Sequence, residues 1–152
     1  GTIGMAKNNL FQSSKKINEI YKDQGIKAYV SVNKAVVTQA SSAIPIVPLY
    51  FSILYKVMKS QNNHEGCIEQ MNRLFIDKHL MDEAVVDKDG FIRLDDWEMK
   101  PEIQTEVMNR WKAVATDNLF QLADVDGYWE DFYHMFGFRF DQVDYTKEVD
   151  LI

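Results

Sequence analysis

The chain has 152 residues, of which 46% are hydrophobic and 26% charged, and its formal net charge is −6 with a pI near 5.0. This length suffices for one core, and the scattered Lys and Arg residues form no basic stripe, so nucleic acid is excluded as an expected partner. The single cysteine, Cys67, excludes an internal disulfide and predicts a reducing, cytoplasmic location. The most apolar run, residues 44–58, is interrupted by two prolines and is too short for a membrane span.

The first predicted element is an amphipathic helix over residues 1–23. Apolar residues recur there every three or four positions, with Lys and Asn between them. We therefore expect one face of this helix to be buried against a sheet or another helix. The helix begins without a capping residue, as though cut from something longer, and we interpret the chain as the C-terminal portion of a larger protein.

A strand is predicted next, over residues 27–37, after Gly25 ends the helix. Its pattern alternates and then becomes continuously apolar, which is typical of a strand covered on both faces and favours a parallel sheet. The strand leads into a loop of Thr, Ser and Ala residues and then into a proline-opened helix over residues 45–59. Ligands of open α/β sheets bind beyond the carboxyl ends of strands, so this loop is a candidate site.

The second half of the chain is predicted to be mainly helical. A surface helix over residues 64–79 is followed by a hairpin over residues 85–94, which turns at Asp87-Lys88-Asp89-Gly90. Further helices are expected from Pro101, from Thr116 and over residues 128–136. The predicted fold class is therefore α/β, mostly helical, with one parallel-type strand and a small β-hairpin.

Two tyrosine-lysine patterns offer competing chemistry. Ser42, Tyr55 and Lys59 have the Ser-x12-Tyr-x3-Lys spacing of ordinary short-chain dehydrogenases, in which the tyrosine is the acid and the lysine lowers its pKa. Tyr and Lys four residues apart share a helix face, so this triad is retained as an alternative. Tyr50 and Lys59 fit a Tyr-x8-Lys spacing, but nine steps of about 100° place them on opposite sides of a regular helix.

Metal sites are not predicted. The three histidines are far apart in the sequence, and none has metal-ligand spacing with another His or Cys. The segments DKDG and DVDG imitate the middle of a calcium loop, but the residues at the first and twelfth positions do not all supply ligand oxygens. Both segments are therefore interpreted as turns.

Several separated motifs carry a family resemblance. They are, in chain order, GTIGMAK, AYVSVNKAVVTQASSAIPIVPLY, NHEGCIEQ, RLDDWEM and a closing GY…F…GF pattern. Together they resemble the FabV-type enoyl reductases, which include the NAD-dependent trans-2-enoyl-CoA reductases, over essentially the whole chain. The resemblance implies the C-terminal part of a Rossmann-like short-chain-reductase fold within a larger single-domain enzyme. Such an enzyme uses NADH to reduce the trans-2 double bond of an acyl thioester on CoA or acyl carrier protein.

The resemblance also implies site residues. The family's catalytic pair is Tyr-x8-Lys, and its GTIG-x-AK pattern places the lysine on Lys7, as a catalytic and NAD-binding residue. The tyrosine would be the third residue before Gly1, and the glycine-rich phosphate loop would lie in the absent N-terminal half, so this chain is expected to be inactive alone. The family's nucleotide-contacting segment maps onto Val36, Val37 and Thr38.

A hypothesis from another class is a free-standing helical interaction module that descends from the enzyme. A stable monomer with no exposed sheet edge would favour the module, whereas a chain that aggregates without an N-terminal partner would favour the fragment. The sequence leaves both carriers, CoA and acyl carrier protein, open.

Overall fold

The computed structural model describes residues 1–80 and 82–148, and the chain divides into two compact units. The first unit comprises Gly1–Lys34 and Glu65–Trp97, and the second comprises Ala35–His64 and Glu98–Ile152. The mostly helical composition is confirmed. The elements are, in chain order, α1 (Thr2–Ile20), β1 (Val30–Val32), α2 (Gln39–Ser42), α3 (Val47–Ser60), α4 (Cys67–Ile76), β2 (Phe91–Arg93), α5 (Pro101–Ala113), α6 (Leu119–Leu122) and α7 (Val125–His134).

A two-stranded parallel sheet lies in the first unit, which confirms the parallel-type strand. In the register of β1 and β2, Val30 is opposite Phe91 and Val32 is opposite Arg93. Strand β1 is shorter than the predicted strand over residues 27–37. It ends early because backbone amides after Val32 donate to side chains and not to a neighbouring strand. The Lys34 amide donates to Gln70 Oε1 at 2.8 Å, within the first unit.

The predicted hairpin over residues 85–94 is wrong in its pairing. The turn itself forms, since Gly90 N donates to the Asp87 carbonyl at 3.0 Å and Asp87 Oδ1 accepts from the Phe91 amide at 3.0 Å. Residues 85–86, however, form no strand, and β2 pairs in parallel with β1 instead. Parallel pairing buries Ile92 almost completely, and the gain from that burial explains why the second arm of the turn pairs with β1.

Helix α1 does not bury the apolar face that its pattern predicts. All of the first ten residues are exposed, and Ile3 has 73% of its surface open to solvent. The second half of the helix does pack: Phe11 lies 4.5 Å from the Phe91 ring, and the Asn18 side chain both donates to and accepts from the Ala28 backbone. The expectation of a buried face is therefore wrong for the first half of α1 in this chain, because no described residue covers it.

Charged side chains organise the interior of the first unit. The Arg73 guanidinium is 5% exposed and binds both oxygens of Glu65, through Nε at 2.8 Å and Nη2 at 2.7 Å. Its Nη1 donates to Asp96 at 2.7 Å, and Lys78 binds the other oxygen of Asp96 at 2.6 Å. The same guanidinium lies 4.2 Å from the Trp97 ring. Glu65, Asp96 and the Trp97 ring thus hold one buried cation, beside an apolar cluster of Leu74, Ile92 and Leu94.

The second unit is built on the apolar helix α3, as predicted. Its first turn contains Pro48, where a missing amide costs nothing. Helices α5 and α7 pack against it, and in the described ranges no helix is long and apolar enough to cross a bilayer. The buried residues of α3 are Phe51, Ser52, Ile53, Leu54, Tyr55, Val57 and Met58.

The start of α7 is fixed to α3. The Asp124 side chain accepts from the Gly127 amide at 3.1 Å, and its other oxygen accepts from Lys59 Nζ at 2.6 Å. The Asp124 amide donates to the Ser52 carbonyl at 2.7 Å. A Cβ at position 127 would meet the Asp124 carboxylate and the Lys59 ammonium, so a larger residue there would force this ion pair to shift. The DVDG segment therefore caps a helix rather than surrounding a cation.

Candidate functional site

Lys7 lies on the first half of α1, in the first unit. The residues around it in the helix are all exposed, so its ammonium group is open to solvent. Within residues 1–80 and 82–148 no hydrogen bond or ion pair engages this side chain. An uncommitted ammonium keeps three donors for a ligand. The structure thus places Lys7 on a helix, as its motif predicts, and its catalytic role stays a prediction.

Val36, Val37 and Thr38 follow β1 in the chain and belong to the second unit. Val37 is 8% exposed and packs in a cluster with Phe51, Tyr55 and Tyr128. Its anchored side chain fixes the main chain of the segment, while Val36 is half-buried and Thr38 is exposed. A segment with a buried centre and open flanks can present backbone groups to a ligand without moving.

Thr38 caps the short helix α2. Its Oγ1 accepts from the Ser41 amide at 3.1 Å, and the Thr38 amide donates to Ser41 Oγ at 2.9 Å. This reciprocal pair is a capping box, and it holds the Thr38 backbone extended at φ −134° and ψ 158°. The Thr38 hydroxyl and amide are both bonded to Ser41, and the Thr38 carbonyl accepts from the Ser42 amide at 3.1 Å, so a ligand contact from this residue would have to share or replace one of these bonds.

The alternative triad of Ser42, Tyr55 and Lys59 does not form a dehydrogenase site. Burial, followed by the Asp131 carboxylate, raises the pKa of Tyr55 above its usual value, whereas the chemistry of the triad needs that pKa lowered. Tyr55 is 1% exposed, so a substrate cannot reach it. The Lys59 ammonium is held by Asp124 at 2.6 Å, and Ser42 Oγ donates to the Gln39 carbonyl at 2.8 Å.

Tyr50 and Lys59 also have separate partners. The Tyr50 hydroxyl donates to Glu98 Oε1 at 2.8 Å, and Lys59 remains on Asp124. The Tyr-x8-Lys spacing inside α3 therefore carries no catalytic pair, as the helical geometry predicts.

Glu98 is a buried acidic residue to which the sequence analysis assigns no role. It is 7% exposed, and its Oε2 accepts from the Ala35 amide at 2.7 Å. Gln104 Nε2 donates to the Glu98 carbonyl at 2.9 Å and to the Tyr50 hydroxyl at 3.4 Å. The RLDDWEM motif was visible in the sequence, but 63 residues separate Glu98 from Ala35, and no periodicity indicates such a contact.

In the DKDG turn the Asp87 carboxylate accepts hydrogen bonds from backbone amides. Asp87 Oδ1 accepts from the amides of Asp89 at 2.9 Å and Phe91 at 3.0 Å, and these bonds lower the pKa of Asp87 below its usual value. In the part of the chain that the structure describes, no group of three or more His, Cys, Asp or Glu residues could hold a metal ion.

Curated relatives match almost the whole chain. A "Trans-2-enoyl-CoA reductase [NADH]" from Ruminiclostridium cellulolyticum is 51% identical over 151 residues. An "Enoyl-[acyl-carrier-protein] reductase [NADH]" from Flavobacterium johnsoniae is also 51% identical over 151 residues. Each alignment covers 99% of this chain and 38% of the relative, so the chain spans well under half the length of the curated relatives it matches.

Solved structures agree with the relatives. The trans-2-enoyl-CoA reductase of Clostridium acetobutulicum in complex with NADH is 45% identical with a TM-score of 0.90, over 99% of this chain and 38% of that protein. The trans-2-enoyl-CoA reductase of Treponema denticola in complex with NAD is 41% identical with a TM-score of 0.89, over 98% of this chain and 37% of that protein. The chain therefore has the fold of the corresponding part of these reductases.

A family model described as "Enoyl reductase FAD binding domain" matches residues 86–149. The diphosphate of FAD needs a glycine-rich strand-to-helix turn or a set of cations. In the described residues of this region, β2 leads instead into the acidic residues Asp95, Asp96 and Glu98, and acidic residues outnumber basic ones. These residues do not fit a flavin dinucleotide.

A second family model, described as "Trans-2-enoyl-CoA reductase catalytic region", matches residues 1–80. This region includes Lys7 and the segment Val36 to Thr38. It covers more than half of the chain, and the relatives and solved structures with the same name align over nearly all of it. The chain belongs to the trans-2-enoyl-CoA reductase family.

Proposed function

We propose that this chain is the C-terminal portion of a larger single-domain reductase that uses NADH to reduce the 2,3 double bond of enoyl thioesters in fatty acid metabolism. The observation that carries the proposal is the TM-score of 0.90 with a trans-2-enoyl-CoA reductase bound to NADH, at 45% identity. The nucleotide-binding half would lie in the part of the relatives that this chain does not span. The lone cysteine is consistent with a cytoplasmic location.

Lys7 would act on the cofactor and on the proton-transfer step. When bound, NADH supplies the hydride to the β-carbon of the substrate. The Lys7 ammonium would donate to the nicotinamide ribose, and its positive charge would favour proton transfer by the tyrosine upstream of this chain. That tyrosine would donate to the thioester oxygen, on which negative charge collects. The open, unengaged side chain of Lys7 supports this role.

Val36, Val37 and Thr38 would hold the nicotinamide carboxamide through backbone groups. The buried Val37 side chain and the capping box at Thr38 keep this stretch of main chain in one conformation. A fixed set of backbone donors and acceptors determines which face of the ring meets the substrate. The rigidity of the segment supports a positioning role for its backbone.

Both carriers are proposed as substrates. The relatives at 51% identity include a reductase named for CoA thioesters and one named for acyl carrier protein. The two share the phosphopantetheine thioester, which is the part that reacts. Steady-state rates with crotonyl-CoA and with crotonyl-acyl carrier protein would rank them.

The test is NADH oxidation followed at 340 nm with crotonyl-CoA, on the full-length protein and on this chain. We expect activity from the full-length protein and none from the chain alone, because the proposed tyrosine and phosphate loop would lie upstream. Lys7→Met in the full-length protein should lower kcat/KM by about 10²-fold or more. Lys16→Met, a change of an exposed lysine on the same helix, is the matched control and should leave the rate unchanged.

Turnover by the isolated chain would contradict the assignment of the catalytic tyrosine to the upstream part. A full-length protein that folds but does not oxidise NADH with either thioester would overturn the proposed function. A chain that is itself a stable, inactive monomer and has no longer parent would support the interaction module instead.

A further inference from the structure

A buried carboxylate holds the backbone immediately before the segment Val36 to Thr38. Glu98 Oε2 accepts from the Ala35 amide at 2.7 Å, and Glu98 Oε1 accepts from the Tyr50 hydroxyl at 2.8 Å. Both oxygens of a side chain that is 7% exposed are thus engaged. Glu98 cannot rotate to another conformer without losing a hydrogen bond in a place where water does not replace it.

The neighbours of Glu98 keep this arrangement in one state. Tyr50 lies on α3 and Gln104 on α5, and Gln104 Nε2 donates to the Glu98 carbonyl at 2.9 Å. Burial, with Glu98 itself adding to the effect, raises the pKa of Tyr50 to about 12, so its hydroxyl keeps the proton that it donates. The carboxylate is therefore held at its side chain and at its backbone by two packed helices.

The main chain of the segment Val36 to Thr38 is therefore fixed by hydrogen bonds at both ends. Upstream, the Ala35 amide is fixed on Glu98. Downstream, the Thr38 amide is fixed on Ser41 Oγ at 2.9 Å. The buried side chain of Val37 lies between these two points. The direction of the backbone groups of residues 36–38 is thereby determined by a side chain distant in the sequence, Glu98, and by a local one, Ser41.

We propose that Glu98 is a positioning residue for the dinucleotide, which orients the backbone of Val36 to Thr38 toward the nicotinamide carboxamide through the Ala35 amide. This inference rests on the proposed function of that segment. In this role Glu98 would act through its bond to the Ala35 amide and not by touching cofactor or substrate. Its loss should therefore weaken NADH binding more than it changes the chemistry of a bound complex.

The experiment uses the full-length protein and compares KM for NADH with kcat. Glu98→Ala removes the acceptor of the Ala35 amide, and a displacement of about 1 Å in such a segment should raise KM for NADH about 10-fold or more. Glu98→Gln should stay within about 3-fold of the parent, because its amide oxygen can accept from Ala35 and its NH₂ can donate to the Tyr50 hydroxyl. We therefore expect KM for NADH to stay near the parental value in Glu98→Gln and to rise in Glu98→Ala.

Two controls separate positioning from general stability. Tyr50→Phe removes one of the two bonds that hold the Glu98 carboxylate but keeps the acceptor for Ala35, so it should raise KM for NADH clearly less than Glu98→Ala does. Ile103→Ala makes a cavity at a fully buried position of α5, and it should lower the thermal unfolding temperature without changing KM for NADH. Each variant is assayed well below its own unfolding temperature.

If Glu98→Ala does not fold, Glu98→Asp decides the question. It keeps the carboxylate but withdraws it by one methylene, and it should raise KM for NADH several-fold in a folded protein. A parent-like KM for NADH in Glu98→Ala or Glu98→Asp would overturn the inference. An equal rise in KM in Tyr50→Phe or Ile103→Ala would also overturn it.

Failure of the inference and failure of the proposed function give different results. If the parent protein does not oxidise NADH with an enoyl thioester, the proposed function is overturned and the inference with it. If the parent is active and Lys7→Met is not, while every Glu98 variant keeps the parental KM for NADH, the role of Glu98 alone is refuted.

Discussion

The first unit has a network of paired charges in its interior, whereas the interior of the second unit is mainly apolar, with Glu98 as a buried charge. In the first, Arg73 is surrounded by Glu65, Asp96 and the Trp97 ring. In the second, a nearly continuous apolar stretch of α3 packs against α5 and α7. A charged interior depends on each partner, because one deletion leaves the others buried without compensation. An apolar interior loses stability in proportion to the volume removed.

The same contrast applies to the two candidate site segments. Lys7 lies on an exposed half-helix that no described residue covers. Val36 to Thr38 are anchored by a buried side chain, a capping box and the Glu98 carboxylate. If both segments bind NADH as proposed, the second segment would hold its own conformation, whereas the first would depend on the rest of the proposed protein for its surroundings.

The largest effect is expected from Arg73→Met. It should lower the free energy of unfolding by about 3–5 kcal/mol, because Glu65 loses its bidentate partner in a buried place. Arg110→Met is the matched control: its partner Glu106 is a surface residue four positions away, and the loss should be about 0.5 kcal/mol. Urea unfolding of the full-length protein measures both. Equal losses would show that the charged interior does not stabilise the first unit.

Leu54→Ala should cost about 3 kcal/mol, because it leaves a cavity at a position with no exposed surface. Leu10→Ala on α1, where the leucine is 56% exposed, should cost about 0.5 kcal/mol or less in the isolated chain. In the full-length protein its cost should rise toward that of Leu54→Ala, if upstream residues cover the apolar face of α1. The same small cost in both proteins would mean that this face stays open in the full-length protein.

Tyr50 should make the second unit sensitive to alkali. Its folded pKa is raised from 10.0 to about 12, so its contribution to stability is complete below pH 10 and is lost as the pH rises from 10 to 12. The shift corresponds to at most about 3 kcal/mol, which solvent screening reduces to about 1–2 kcal/mol. Tyr50→Phe should therefore flatten the fall in unfolding free energy over this range. Parallel pH profiles of the two proteins would contradict the shift.

The smallest effect is expected at the capping box. Thr38→Ala should cost about 1 kcal/mol because α2 loses its N-cap, and Thr38→Ser should cost almost nothing. If the segment binds the nicotinamide through its backbone, Thr38→Ala should also raise KM for NADH, and Thr38→Ser should not. If Thr38→Ala lowers stability without changing KM for NADH, the role of Thr38 is only to cap helix α2.

Local patterns predicted the helices well because helices are local structures. The prolines in the first turns of α3 and α5 and the apolar run of α3 indicate these elements directly. Helix α4 begins later than predicted, because Asn62 turns into a left-handed conformation at φ 55° and Glu69 accepts from the Gly66 amide at 3.0 Å. That start depends on a side-chain contact rather than on apolar periodicity.

The sequence by itself determined the family, the positions of the long helices and the candidate residues Lys7, Val36, Val37 and Thr38. Motifs and helical periodicity depend only on residues close together in the chain, so they can be recognised without a structure. Tertiary structure decided the parallel partner of β2, the early end of β1, the open face of α1 and the contact of Glu98 with Ala35. These features depend on hydrogen bonds and packing between residues far apart in the chain, such as Lys34 and Gln70, which are 36 positions apart. Such contacts produce no periodic pattern in the sequence, so they become visible only in the folded structure.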